Sequence, residues 1–293
     1  MFCFIMAGGE PFLFPRLVEL CRESKDRFFL IFTNGTALEA SDYERLRSLT
    51  NTGVIVSIEG GPELTDSRRG PGVYSQALDT LKRLEDIGVL SGVSVTIDRR
   101  NFGYWMNDGH VDALIAEGVR FGFFIEYIPS SPAGESSESE NSTQAAPSCA
   151  NAPSYLDELS QGIAGDDHLL MLTSEERASF RQQILRWRSE KSIYLIHSPG
   201  DEEFFGGCVS AGRGFAHVTP AGDVTPCPVS NVATHNLFDT SLKEALASPL
   251  FEQIRENEDL LETGDTPCGL FAHPKEVERL AKAVGAYRTD ARE

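Results

Sequence analysis

The sequence predicts an α/β fold: a parallel sheet or partial barrel with its site at the strand C-termini, followed by a smaller segment of different texture. Three observations predict it. Short runs that are apolar at nearly every position alternate with amphipathic stretches over the first 128 residues. Polar residues recur just past the ends of successive runs. Beyond residue 204 that alternation gives way to paired glycines, a hairpin pattern and three cysteines.

The strand-like runs are 2–6, 28–32, 54–58, 93–97 and 123–128, continuous rather than alternating, as in parallel strands covered on both faces. Between them, Tyr74, Ala77, Leu78, Leu81, Leu84 and Ile87 recur at helical spacing, with Gly88 as the stop. Ser41 and Glu44 read as a capping box, and Asp108 as the cap of a helix carrying Val111, Leu114 and Ile115. Cys3 and Cys21 read as core. The first run begins at Met1, an unusual start for a buried strand, and suggests that upstream βα material is absent from this chain.

Residues 130–154 carry no aromatic, no Leu, Ile or Val and no positive charge, a composition that predicts a disordered insert, with Cys149 a bystander. Structure is expected to resume at Thr173-Ser174-Glu175-Glu176, a capping box ahead of Phe180, Ile184 and Trp187, and to continue into a sixth strand at 192–197. The remaining chain predicts a hairpin turning at Pro220-Ala221-Gly222-Asp223, helices opening at Ser241 with Glu244 and at Ser248-Pro249, and a last helix after Pro274. The divisions are therefore 1–129, the insert 130–154, a closing stretch 155–203 and a distinct segment 204–293.

Composition narrows the function. With 41% hydrophobic and 24% charged residues, 293 residues suffice for a core. Asp and Glu total 44 against 26 Lys and Arg, a net charge of −18, so nucleic acid and membrane surfaces are not expected partners. No apolar run approaches the roughly 18–20 residues of a membrane span, and the opening lacks the basic region of a signal peptide. Six cysteines without tight pairing suit reduced thiols in a cytoplasmic protein.

Gly8-Gly9-Glu10-Pro11 follows the first run. Paired glycines let a ligand approach the backbone and the carboxylate can take an ammonium; the plainer reading is a strand-to-helix turn. Thr33-Asn34-Gly35 stands at the same place one unit later, and Ser57 and Glu59 one unit after that. Polar residues at three successive strand ends are what a barrel-mouth site requires. Asp66 to Tyr74, with Arg68, Arg69, Gly70 and Gly72, reads either as a loop contacting carboxylates or phosphates or as a flexible connector with solvated arginines. Cys208, Cys227 and Cys268 read either as soft ligands of an iron–sulfur or zinc site or as buried free thiols. A zinc ion would want a fourth ligand, for which His217 and His273 are candidates.

Taken together, Gly-Gly-Glu-Pro, Thr-Asn-Gly, Ser57, the run from Asp66 through Arg69 and Gly72 to Tyr74, and the Cys208, Gly222, Cys227 spacing resemble radical SAM enzymes that carry a SPASM or shorter Twitch domain. The resemblance covers nearly the whole chain apart from the insert. It implies a partial (β/α)6 barrel, here lacking its first βα unit, and a small α+β auxiliary-cluster domain. It implies S-adenosylmethionine (SAM) and [4Fe–4S] as cofactors, a peptide or small-molecule substrate and an electron donor. By position, Gly8, Gly9, Glu10 and Pro11 would hold the methionine amino group. Thr33, Asn34, Ser57 and Glu59 would line methionine and ribose, with Arg69 near the carboxylate, and Cys208, Cys227 and Cys268 would hold the auxiliary cluster.

One departure accompanies the resemblance. The C-x3-C-x2-C motif that holds the catalytic cluster in the family is absent from the sequence, which implies a mis-assigned start, a truncated gene or a degenerate paralogue, the first two favoured because the SAM-side motifs are otherwise intact, and a chain that alone does not cleave SAM. The alternative is a non-catalytic protein with a structural zinc or iron–sulfur site. An aldolase-like barrel is disfavoured because no lysine stands at a strand end, and the acidic balance argues against an RNA substrate.

Overall fold

The computed structural model describes residues 3–129, 167–262 and 266–290. These divide into two units: one runs to Tyr127 and resumes from 167 through Ser198, and the other holds Ile128, Pro129 and everything from Pro199 onward. The insert expected at 130–154, Cys149 included, lies outside the described residues.

The first unit is built on six parallel strands, β1 (Cys3–Met6), β2 (Phe28–Thr33), β3 (Thr52–Ser57), β4 (Leu90–Ile97), β5 (Phe121–Glu126) and β6 (Tyr194–Ser198), paired in sequence order. Because every pair is parallel, all six C-terminal ends lie along one rim. The sheet is a curled half-barrel, the expected partial (β/α)6 form. Its register places Ile55 beside Phe32 and Gly92, Ser57 beside Ser94 and Ser94 beside Phe123, all on one face. Gly92 leaves room in the central strand; a β-carbon there would stand 2.4 Å from the Phe121 carbonyl oxygen. Across this face the Phe32 and Phe123 rings meet edge-to-face at 5.5 Å, although two strands separate them in the sheet.

Helices cover the opposite face. They are α1 (Leu17–Glu23), α2 (Ala40–Leu46), α3 (Pro62–Arg69), α4 (Val73–Asp86), α5 (Phe102–Trp105), α6 (Asp108–Ala116) and α7 (Ser174–Glu190). Val54, Val56, Val93, Val95, Ile97, Phe124 and Leu195 from the strands pack with Ala77, Leu81 and Leu84 of α4 and with Phe180, Ile184 and Trp187 of α7. Trp105, Phe124, Phe180 and Trp187 form an aromatic cluster whose ring centroids lie 5.2 to 6.4 Å apart. Truncating one such buried aromatic to Ala typically costs about 3–5 kcal/mol.

The structure corrects four readings. β1 is the edge strand of the sheet, mostly exposed rather than covered on both faces, so Cys3 is exposed while Cys21 is buried. The capping box of α2 is Glu39 with Asp42, not Ser41 with Glu44; the Asp42 carboxylate accepts the Glu39 N–H at 2.9 Å. Asn107 rather than Asp108 caps α6, accepting the Gly109 N–H at 3.0 Å, and this frees Asp108 to receive Arg186, Trp187 and Gln183 from α7. The span from Asp66 is not a loop throughout, because residues up to Arg69 are helical; Asp66 then accepts the Gly72 and Tyr74 N–H groups at 2.8 Å each, fixing the entry to α4.

The second unit opens with a 3-10 turn, Gly200–Phe205. The expected hairpin follows as β7 (His217–Val218) and β8 (Val224–Thr225), with His217 opposite Thr225. Gly222 turns it at φ 85°, a conformation glycine adopts without a side-chain clash. β9 (Val232–Ala233) pairs antiparallel with β10 (Tyr287–Arg288). Between them lie α8 (Leu242–Leu246), α9 (Pro249–Glu256), α10 (Glu258–Leu261), α11 (Gly269–Ala272) and α12 (Pro274–Ala283). The caps read from sequence are in place at Ser241 with Glu244 and at Ser248 before Pro249. Buried Asp223 ties hairpin to β10 by accepting the Tyr287 hydroxyl at 2.6 Å and the Asn236 amide at 2.9 Å.

Candidate functional site

On the first unit, the rim at the ends of β1 and β2 is joined through Glu10. Its Oε1 accepts the Thr33 hydroxyl at 2.7 Å and the Phe12 N–H at 3.2 Å, and its Oε2 accepts the Asn34 N–H at 2.9 Å. A carboxylate offers about four acceptor positions, so three are used and one remains for a cation. Gly8 and Gly9 hold φ of 92° and 54°, and a β-carbon at either would meet nothing within 4 Å; glycine serves backbone conformation here, beside open space. Pro11 opens the 3-10 turn Pro11–Leu13 that Glu10 caps. Thr33 is buried, and its hydroxyl also accepts the Gly35 N–H at 3.0 Å.

Further along the rim, the Ser57 and Ser94 hydroxyls lie 3.0 Å apart at the ends of β3 and β4. Glu59 is buried and bound by both arginines of α3. Arg69 donates to its Oε1 through Nε at 2.9 Å and Nη2 at 2.6 Å, and Arg68 pairs with its Oε2 at 2.9 Å. The Glu59 carbonyl accepts the Asn101 amide and the Trp105 indole, each at 3.0 Å. Burial pushes the Glu59 carboxyl up while the two guanidinium groups pull it down. The sequence offered solvated arginines or ligand-contacting ones; the carboxylate they contact belongs to this chain. Thus Gly8 through Pro11, Thr33 and Asn34 share one hydrogen-bonded corner, whereas Glu59 and Arg69 form a second cluster paired within itself.

On the second unit, Cys208, Cys227 and Cys268 are buried to 5%, 4% and 8% exposure. Each presents its sulfur to nearby backbone N–H groups: Cys208 to Ser210, Cys227 to Val229 and Ser230, Cys268 to Leu270 and Phe271. Such bonds favour the thiolate. Against them, burial pushes all three thiols up, Cys268 to about 12; charge repulsion from Cys268 and Cys208 raises Cys227 further, and repulsion from Cys208 raises Cys268. Three thiols within electrostatic reach, each in a turn shaped for a thiolate yet too buried to ionise unaided, suit a cationic metal group that displaces their protons. Among the described residues, no three His, Cys, Asp or Glu side chains converge as ligands of a single metal ion.

Local sequence explains how the chain brings them together. Thr225-Pro226-Cys227 and Thr266-Pro267-Cys268 form the same turn, in which the threonine hydroxyl donates to the cysteine carbonyl at 3.1 Å. The Ala211 N–H donates to the Pro226 carbonyl at 3.0 Å, joining the Cys208 loop to the Cys227 turn. The end of α10 is a common wall for the other pair. A β-carbon at Gly207, whose φ is 95°, would lie 2.2 Å from the Leu261 carbonyl oxygen, and one at Gly269 would lie 2.4 Å from that of Leu260. The Cys208 N–H donates to the Leu261 oxygen at 2.8 Å. Gly207→Ala is therefore expected to push Cys208 off this wall and to lower both metal retention and thermal stability, with destabilisation of about 2 kcal/mol or more. Thermal melting with metal analysis checks this.

Residues 3–111 match the Radical SAM superfamily model, and residues 208–269, which begin at Cys208 and enclose Cys227 and Cys268, match the SPASM iron–sulfur cluster-binding domain. The radical SAM match thus takes in strands β1 to β4 of the first unit, and the SPASM match takes in the three cysteines of the second. Among its curated relatives is the pre-heme d1 synthase of Dinoroseobacter shibae, 25% identical over 231 residues, covering 76% of this chain and 55% of that protein. Another is the AdoMet-dependent heme synthase of Oleidesulfovibrio alaskensis, 24% identical over 272 residues, covering 90% and 66%. This chain thus spans between half and two thirds of the length of these relatives. Among solved structures, anSMEcpe with bound AdoMet and Cp18Cys peptide superposes with a TM-score of 0.57 over 96% of this chain and 83% of that one, at 14% identity, a likeness of fold. SAM and iron–sulfur clusters are the cofactors that this family and domain imply. Among the described residues no helix is long and apolar enough to cross a membrane.

Sequence reasoning passed over one charged cluster at the rim of the first unit. Glu126 ends β5 and His197 lies near the end of β6, with Nε2 to Oε1 at 2.9 Å; Arg177 of α7 donates to Glu126 Oε2 at 2.8 Å. The Phe180 ring packs edge-to-face on His197 at 5.2 Å. The cluster sits beneath α7, on the helix side of the sheet, where it locks helix to strands. The signal that pointed to Ser57 and Glu59, a polar residue closing an apolar strand, also marks Glu126 and His197.

Proposed function

We propose that this chain binds SAM along the rim formed by Gly8, Gly9, Glu10, Pro11, Thr33, Asn34, Ser57, Glu59 and Arg69, and an auxiliary iron–sulfur cluster at Cys208, Cys227 and Cys268. The pair serves the modification of a small molecule, with electrons from an external donor. Three buried cysteines in thiolate-favouring turns carry this reading. Bound there, the cluster supplies one-electron redox capacity. Glu10 offers its remaining acceptor position to the SAM ammonium while its other bonds hold Thr33 and Asn34 in place. Gly8 and Gly9 leave the backbone open to the methionine. Arg69, held against Glu59, presents its remaining N–H to a carboxylate, and Ser57 with Ser94 lines the sheet face.

For the substrate we favour a tetrapyrrole, because the curated relatives described above are named as a pre-heme d1 synthase and an AdoMet-dependent heme synthase. Equilibrium dialysis of the anaerobically purified chain against SAM tests the rim; saturable one-to-one binding is expected, and none at millimolar SAM overturns the assignment. An iron porphyrin titrated into the same protein should shift its Soret band, whereas an unshifted band would return the substrate to the peptide class.

A further inference from the structure

We propose that Arg100, just past the end of β4, and Arg68 of α3 form an anion subsite on the rim that holds a carboxylate of the substrate, apart from the SAM carboxylate given to Arg69. The inference rests on the tetrapyrrole reading above and names the groups by which the chain grips such a molecule. Side chains alternate along a strand, and Val95 and Ile97 pack among the helices, so Thr96 and Asp98 share the face of Ser94 and its neighbour Ser57. Glu59 follows Ser57 by the same alternation, and the two acids thus close adjacent strands on the site face. The Asn101 amide donates to the Glu59 carbonyl at 3.0 Å and to the Thr96 carbonyl at 2.8 Å, pinning the two strand ends together.

Glu59 and Asp98 are only 3% and 2% exposed, yet the arginines they hold reach solvent, Arg68 at 36% and Arg100 at 39% side-chain exposure. Arg100 donates through Nε, at 3.0 Å, and through Nη2 to a single oxygen, Asp98 Oδ2, while Oδ1 accepts the Arg100 backbone N–H at 2.8 Å. Its Nη1 hydrogens have no partner among the described residues. Arg68 meets Glu59 Oε2 through Nη1 alone, and Arg69 takes Oε1 with two N–H groups. Three guanidinium groups against two carboxylates leave one positive charge here, in a chain whose net charge is −18. One guanidinium would neutralise each buried acid. The surplus is a set of donors fixed in place before binding and shaped for a planar anion. On the same face, half-buried Phe123 and Ile125 of β5 stand beside Ser94 and Thr96. A ligand with an apolar body and carboxylates at its edge matches that layout. In the sequence, Asp98-Arg99-Arg100-Asn101 closes the fourth apolar run as Ser57 and Glu59 close the third.

Soret titrations of the full chain with iron protoporphyrin IX, whose propionates are free, and with its dimethyl ester test the subsite. Wild type should bind the free acid about 10-fold or more tightly than the ester, the worth of one charge-assisted pair. Arg100→Gln should remove most of that preference and the double variant Arg68→Gln/Arg100→Gln all of it. Arg100→Lys should keep part, since it retains the charge without the fork. Ester affinity, and SAM binding to Arg100→Gln by equilibrium dialysis, should not change. A full preference in the double variant overturns the inference, as does a wild type that binds acid and ester equally; both leave the tetrapyrrole reading standing. Equal loss for acid and ester in Arg100→Gln overturns it too, since an ion pair that only held the end of β4 would behave so. Loss of SAM binding in that variant overturns it by moving Arg100 to the SAM site. If neither porphyrin binds wild type, the tetrapyrrole reading falls and the inference with it.

Discussion

Cys227→Ala is expected to remove nearly all cluster iron and visible absorbance from the anaerobically reconstituted chain and to lower the melting temperature of the second unit by roughly 10 °C or more. Cys227 is 4% exposed, and both it and Cys268 count among the buried core of that unit, beside Val224, Leu250, Phe251 and Leu260. Metal affinity in such small units is folding free energy, because the unfolded chain offers no preformed site. Losing one of three thiolates also strands the other two, whose ionisation burial already opposes. Cys208→Ala and Cys268→Ala should behave alike. Cys3→Ala and Cys21→Ala should leave iron unchanged, since Cys3 is exposed on the edge strand and Cys21 packs with Leu17, Phe29 and Ile31. Iron analysis alongside calorimetry checks both halves.

Glu10→Ala should weaken SAM binding by about 10- to 100-fold, the equivalent of one lost charge-assisted contact of roughly 1.5–3 kcal/mol. The variant removes the ammonium acceptor and also releases the Asn34 N–H and the Thr33 hydroxyl that the carboxylate holds. Thr33→Val separates these effects. It deletes the 2.7 Å bond to Glu10 but keeps the carboxylate, so its loss of affinity should be several-fold smaller. Equal loss in both variants would mean that Glu10 acts only by holding the corner together. Equilibrium dialysis with labelled SAM reads the difference.

How much of this was legible in the sequence follows the range of each interaction. All six strands of the half-barrel were visible as apolar runs, the inner ones because a strand covered on both faces is written without interruption, although β1 carries such a run while mostly exposed at the edge. The boxes at Thr173 with Glu176 and Ser241 with Glu244 were visible because both partners sit within one turn. The box of α2 was misplaced because Glu39 is an uncommon cap, and Ser41 with Glu44 supplies the familiar pattern two residues later. Cys3 was misread because edge position depends on strand order, which no local pattern carries. The Glu126, Arg177 and His197 cluster joins residues 51 apart along the chain and more, and only the folded sheet assembles it. At the cysteines, the repeated Thr-Pro-Cys was legible, but not the sulfur-directed N–H groups that give it meaning.

The central claim is that Cys208, Cys227 and Cys268 hold one iron–sulfur cluster, and the most direct test is metal and acid-labile sulfide per chain in protein purified and reconstituted without oxygen. About four irons and four sulfides per chain, with no stoichiometric zinc, are predicted. One zinc per chain with neither iron nor sulfide would contradict the account and make the three thiols a structural zinc site.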